Sequence, residues 1–261
     1  MNRIEKKFRA LKRKNKKALI VFITAGYPSL SITKKLILEF DKIGVDIVEI
    51  GVPFSDPLAD GPVIQESSQV ALQNKVTLGK ILGLVKELRR FTDIPLALMT
   101  YYNPIFCFGE RIFIRQARAA GVDGLIIPDL PPEEGRTLMR LAHKNQVDVI
   151  FFISPTTSRL RMKHIAGISR GFIYYVSLTG VTGPRAKLPL DLQKQIRAVK
   201  QITVKPVCVG FGVSSASQVK KIYQIADGVI VGSAIIKKIK QNLKRKDLIE
   251  RVSRYIRGLK Q

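Results

Sequence analysis

Glu49 and Asp60 bracket the run VEIGVPFSDPLADGP (48–62), which continues a short apolar segment and contains no cationic side chain. Its glycines and prolines exclude a helix and turn the backbone sharply back toward the strand end. Such a loop can keep one carboxylate in a dry, strand-borne position and another in a wetter one. Different surroundings split carboxylate pKa values, so one site can supply both an acid and a base near neutral pH. Taken singly, Glu49 would be a paired core acid, and Asp56 and Asp60 would be turn residues. The whole string favours proton transfer.

A second kind of chemistry is written in the glycines. LTGVTGPR (178–185), GFGVSS (210–215) and GSAII (232–236) follow the last three apolar runs, and the last two lead directly into helical periodicity. Glycine lets backbone N–H groups approach an anion, and a helix start aims unpaired donors at it. Gly183, Gly212, Gly232 and Ser233 are therefore expected around a phosphate.

Other chemistries lack their residues. No lysine stands at the C-terminal end of a strand run for a Schiff base, since Lys205 begins its run. The only histidines, His143 and His164, fall on expected outer helices with no carboxylate cluster at ligand spacing, so no metal site is expected. GFGVSS lacks the third glycine of a dinucleotide fingerprint. Carboxylate acid–base chemistry remains, with Tyr174 a possible helper.

The elements that must position these groups alternate regularly. Short Val- and Ile-rich runs at 18–23, 46–50, 95–99, 123–127, 148–153, 171–176, 205–210 and 227–232 read as strands buried on both faces. Helical periods lie between them, around 31–43, 77–91, 108–119, 132–145, 158–168, 189–200, 214–225 and 235–258. Thr77, Ser158 and Ser214 serve as start signals, and Pro131 and Pro132 suit a first helical turn. Eight strand-then-helix units in 261 residues predict a (β/α)8 TIM barrel. No linker divides it, so residues 1–261 are expected to form a single domain with an extra basic amphipathic helix over 1–17. In such a barrel the strand-end loops carry function, which puts Glu49, Asp60, Asp129 and Tyr174 on one face.

Composition limits the partners. The formal net charge is +25, which invites a nucleic-acid reading, but the excess sits on two amphipathic end segments and no nucleic-acid motif accompanies it. Nucleic acid is not the expected partner. No run of roughly 18 apolar residues could span a bilayer. Two cysteines without CxxC spacing point to a reducing, cytoplasmic setting.

Over almost its whole length the chain resembles the α subunit of tryptophan synthase. The resemblance rests on FITAGYP (22–28), the 48–65 string, MTYYNPIF (99–106), GVDGLIIPDLPPEE (121–134), YYVSLTGVTG (174–183), VGFGVSS (209–215) and ADGVIVGSAI (226–235). It implies retro-aldol cleavage of indole-3-glycerol phosphate to indole and glyceraldehyde 3-phosphate. Glu49 would then be the acid–base group, Asp60 the group stabilising charge at the indole nitrogen, and Tyr174 the active-site tyrosine. The apolar slot would be lined by Phe22, Leu98, Tyr101, Ile126 and Ile153, with Thr182 and Phe211 among the substrate contacts. The resemblance also implies a β-subunit partner in an α2β2 tetramer, meeting PTTS (155–158), the NPIF segment and the Asp56 loop. Pyridoxal phosphate would belong to that partner, with no cofactor in this chain. A catalytically weak subunit whose main task is to activate the β partner remains the alternative. Pro184 after GVTG departs from the family's usual alanine and should stiffen that loop.

Overall fold

The computed structural model describes residues 2–176, 191–210 and 212–260. Among them, nine parallel strands form one sheet. They are β1 (Ala18–Thr24), β2 (Ile47–Gly51), β3 (Leu96–Met99), β4 (Gly124–Ile126), β5 (Asp148–Ile150), β6 (Phe152–Ile153), β7 (Ile173–Val176), β8 (Val207–Gly210) and β9 (Gly228–Val231). Their order is β5-β4-β3-β2-β1-β9-β8-β7-β6. Both edges of this ladder lie in one stretch of chain, because only Phe151 separates β5 from β6. β5 pairs with β4 and β6 with β7, so the sheet closes on itself. The eight expected runs are the eight staves of a (β/α)8 barrel, the fifth bent at Phe151.

Side chains alternate along each stave. Ala18, Ile20, Ile47, Ala97, Ile126 and Ile150 point inward, while Leu19, Val21, Val48, Leu98, Leu125 and Val149 pack outward beneath the helices. The outer layer comprises α2 (Leu30–Lys42), α3 (Pro62–Gln73), α4 (Leu78–Leu88), α5 (Tyr102–Phe108), α6 (Glu110–Ala120), α7 (Arg136–Lys144), α8 (Arg159–Ile168), α9 (Leu192–Lys200), α10 (Ala216–Tyr223), α11 (Ser233–Gln241) and α12 (Leu248–Leu259). No helix among the described residues is long and apolar enough to cross a membrane. Thr77 and Ser158 cap α4 and α8 as expected.

Four local expectations are corrected. Helices α3 and α5 did not show in the hydrophobic pattern: α3 buries Ser67, Ser68 and Ala71 beside Ile64, and α5 buries only Ile105. The expected helix 235–258 breaks after Gln241, where Asn242 turns its amide onto the Lys238 carbonyl at 2.8 Å. Pro131 and Pro132 belong to the turn ahead of α7, with Gly135 N–H bonded to the Pro131 carbonyl. Ser215, not Ser214, caps α10, in a reciprocal box with Gln218.

The N-terminal ends of the staves are closed by helix α1 (Arg3–Arg13), the expected amphipathic helix, which inserts Ile4, Phe8 and Leu11 into the barrel. It docks on aspartates that head the staves. Asp46, Asp123 and Asp227 each accept the N–H of a residue at the start of the preceding strand, Leu19, Leu96 and Val207, at 2.9–3.0 Å. Each is also approached by a cation from the N-terminal segment: Lys7 at 3.6 Å, Arg3 at 3.3 Å and Lys17 at 3.6 Å. Asp123 is fully buried and further held by Arg89 at 2.8 Å. Burial pushes the Arg89 guanidinium down to about 10, and Asp123 opposes that shift. Asp123→Asn would leave Arg89 as a buried charge without its counterion, so urea unfolding should show a loss of about 3–5 kcal/mol. Arg89→Met together with Asp123→Asn should recover part of that loss.

Candidate functional site

At the opposite, C-terminal rim of the staves lies a cavity of about 490 Å³, lined by Phe22, Asp60, Tyr174, Gly212, Gly232 and Ser233 among others. Glu49 stands beside it. It shares the inward face of β2 with Ile47 and lies in register with Phe22 of β1. The side chain is fully buried, and neither carboxylate oxygen has a hydrogen-bond partner among the described residues. A buried carboxylate without donors is far costlier charged than neutral. Burial therefore pushes Glu49 up to about 8, and at neutral pH it holds a proton. A paired core acid would look different: Asp123, equally buried, is met by two arginines and an N–H.

Asp60 is 7% exposed and is raised less, to about 6. Burial raises it, and a hydrogen bond from the Tyr101 phenol pulls it back. The same phenol oxygen accepts the Ala59 N–H at 2.9 Å. Tyr101 thus ties the loop to β3's end while giving its own proton to Asp60. Its ring packs on Phe54 at 5.2 Å. The two acids accordingly differ in proton affinity, as the loop sequence suggested, with Glu49 the more reluctant to ionise.

Tyr174 points inward from β7, with its ring centroid 4.8 Å from that of Phe152. Burial and the nearby Glu49, Cys208 and Asp60 push its phenol well above the ordinary value, so it stays a neutral donor. Two glycines make room for the aromatic walls. A Cβ at Gly210 would lie 2.6 Å from the Tyr174 ring, and one at Gly51 would lie 2.5 Å from that of Phe22.

Strand parity redistributes the expected slot. Ile153 faces outward into the layer beneath the helices, as does Leu98; Phe152 and Met99, one residue away, line the cavity instead. A one-residue step along a strand reverses the face, and nothing in these apolar runs marks the phase. Ile126 does point into the barrel. Tyr101 lines a small recess behind the cavity, shared with Phe22 and Asp60. Asp129, placed on the functional rim by sequence, accepts the Tyr102 N–H at 2.9 Å and so caps α5.

The two candidate anion-binding helix starts differ. At α10 the Gln218 side chain already accepts the Ser214 and Ser215 N–H groups, at 2.8 and 3.1 Å. At α11 the N-cap is Gly232, which has no side chain to cap the first turn, and Ser233 and Ala234 of that turn line the cavity. Gly212 reaches the rim with φ +73°, a conformation that favours glycine. The expected contacts Thr182, Gly183 and Phe211 lie outside the described residues. No group of three or more His, Cys, Asp or Glu among the described residues could hold a metal ion.

Residues 8–261 match the family model described as tryptophan synthase alpha chain. The chain is 46% identical over 260 residues to the tryptophan synthase alpha chain of Geotalea uraniireducens, covering 100% of this chain and 97% of that one. It is 42% identical over 261 residues to that of Thermoanaerobacter pseudethanolicus, covering 100% and 99%. The crystal structure of tryptophan synthase subunit alpha from Legionella pneumophila superposes with a TM-score of 0.93 at 38% identity, over 99% of this chain and 97% of that one. Sequence and backbone agree from one end of the barrel to the other, and the chain belongs to the tryptophan synthase alpha chain family.

Proposed function

We propose that Glu49, Asp60 and the cavity between them carry out the reaction of this lyase family, the cleavage of indole-3-glycerol phosphate to indole and glyceraldehyde 3-phosphate. The observation that carries the proposal is the Glu49 carboxyl: wholly buried, with neither oxygen partnered among the described residues, so that burial disfavours its charged form. The flat indole suits the slot walled by Phe22, Phe152 and Met99, and the phosphate suits the uncapped start of α11.

In this reading Glu49 delivers its proton to the indole carbon that bears the glycerol chain. The ring then carries positive charge at its nitrogen, which the Asp60 carboxylate stabilises from the other side of the slot. The resulting Glu49 carboxylate assists loss of the proton from the adjacent glycerol hydroxyl. The carbon–carbon bond breaks, its electron pair returns to the ring, and the hydroxyl carbon becomes the aldehyde. Protons and electrons balance with no external oxidant or reductant. Tyr174, a neutral donor beside both acids, orients rather than ionises.

The chain would act as one barrel domain alongside a β-subunit partner in an α2β2 assembly, with pyridoxal phosphate on the partner. Large apolar side chains on the segments named for that contact support a partner there: Leu58 is 88% exposed and Phe106 of α5 65%.

Glu49→Gln keeps the shape and removes the transferable proton, so indole release should fall by about 10²–10⁴-fold, with or without a β subunit. Retained turnover would refute the acid–base role. The same variant tests burial. In the native chain Glu49 holds its proton up to about 8, whereas an unfolded glutamate loses it near 4.5. Between those limits the native state binds more protons than the unfolded one, so this group's contribution falls as pH rises. The stability of Glu49→Gln relative to wild type should therefore increase from pH 5 to pH 8, by up to about 1.4 kcal/mol per pH unit in denaturant titrations.

The pH profile of kcat/KM for indole release should be bell-shaped, with an acid limb near 6 from Asp60 and a basic limb near 8 from Glu49. Tyr101→Phe removes the hydrogen bond that lowers Asp60, so its acid limb should move to higher pH while the basic limb stays.

A further inference from the structure

The N-terminal end of the barrel holds a second, larger cleft, of about 1020 Å³, between α1, the turn joining α8 to β7 and the turn joining α9 to β8. Seven cationic side chains line it, Arg9, Lys12, Lys16, Lys17, Arg170, Lys200 and Lys205, against two carboxylates, Glu5 and Asp227. Asp227 is already committed. It accepts the Val207 N–H and is shared by Lys17 at 3.6 Å and Lys200 at 2.9 Å.

The cations of the N-terminal segment differ in their partners. Arg3, Lys7 and Lys17 pair with the aspartates that head the staves. Arg9, Lys12 and Lys16 have the same side-chain types, yet no carboxylate lies within ion-pair distance of them among the described residues, and none lies that close to Arg170 across the cleft. Glu5, one helical turn before Arg9, makes no ion pair with it. Lys6, Arg13 and Lys14 likewise make no ion pair among the described residues, but they lie outside the cleft, whereas Arg9, Lys12 and Lys16 converge with Arg170 on one concavity. Like charges facing one another across a concavity repel, and a bound anion would remove that cost. Lys205 reports the crowding: its ammonium is lowered first by burial and then by Arg170, and it is anchored on the Gly167 carbonyl at 3.3 Å.

We propose that this cleft binds a linear oligophosphate, either free or as the tail of a nucleoside triphosphate. Charges distributed along a wall suit several linked phosphates better than one. The volume suits a small molecule, at the upper end for such sites. A single-stranded nucleic acid would need exposed rings for its bases, and the only aromatic side chain in the wall, Phe8, is buried against Phe172 at 5.7 Å. Apolar side chains also line the cleft beside the cations, among them Leu11, Pro206 and the fully exposed Val204. A nucleoside could rest there.

The test is calorimetric titration of the whole chain at physiological salt with sodium tripolyphosphate, ATP, orthophosphate and an RNA of about 20 nucleotides. Saturable binding of tripolyphosphate is expected, with orthophosphate far weaker. ATP equal to tripolyphosphate would identify the phosphate chain as the whole ligand, and tighter ATP would place the nucleoside on those apolar side chains. The variant R9Q/K12Q/R170Q should weaken either ligand by at least about tenfold. The control R111Q/R115Q/R140Q removes the same charge from exposed positions on α6 and α7 and should change it by less than about twofold. Lys12→Glu alone, on an exposed side chain, gives a graded loss should the triple variant unfold. Equal weakening in both triple variants would reduce the effect to net charge and overturn the site. Absence of saturable tripolyphosphate binding, or tighter binding of the RNA with the same loss in R9Q/K12Q/R170Q, would overturn it too.

Discussion

Closure of the sheet governs everything else in this molecule. A parallel strand edge presents unpaired N–H and C=O groups, and joining β5 and β6 through Phe151 removes both edges at once. Closing also creates an interior that water does not fill, so every inward side chain must be apolar, paired or neutral. That requirement makes Ile47 and Glu49, two residues apart on one strand face, chemically so different. One packs; the other is denied solvent and partners and so keeps its proton. The proposed acid is a consequence of topology before it is a matter of its own side chain.

The two ends of the barrel treat most of their acids differently. At the closed end Asp46, Asp123 and Asp227 receive strand N–H groups and cations. They satisfy backbone donors that would otherwise be stranded at the strand starts. At the open end neither Glu49 oxygen has a partner among the described residues, and Asp60 meets the Tyr101 phenol. Asp46, Asp123 and Asp227 thus hold the base together, while Asp148 beside them is an exception, buried with Oδ2 unpartnered among the described residues and raised to about 6 by burial. The division between the two ends lets the rim vary without loosening the base.

Much of this was legible in the residues. The eight Val- and Ile-rich runs predicted the staves, because strands buried on both faces need continuous apolar sequence. The loop string around Asp60 and the glycines before Ser233 pointed to the rim on which the cavity lies. Less was legible where burial does not follow hydrophobicity. Helix α3 hides Ser67 and Ser68, with the Ser67 hydroxyl 2.7 Å from that of Thr24, and so shows no apolar stripe. The aspartates heading three runs, DIVEI, DGLII and DGVIVG, were a visible signal. They could have been read as caps on strand starts and as the seat of the basic N-terminal helix.

The sequence by itself determined the number of staves, the family, the acid-bearing loop and the glycine-led turns of the rim, since each is carried by local composition or by an unbroken string. Only the tertiary structure decided phase and partnership. It turned Ile153 outward and Phe152 inward, left Glu49 without a donor, gave Tyr101 to Asp60, and sorted the basic residues of one helix into paired and unpaired sets. Those are differences of a few ångströms between side chains distant in the chain. Local sequence has no term for them, because they exist only once the sheet has closed.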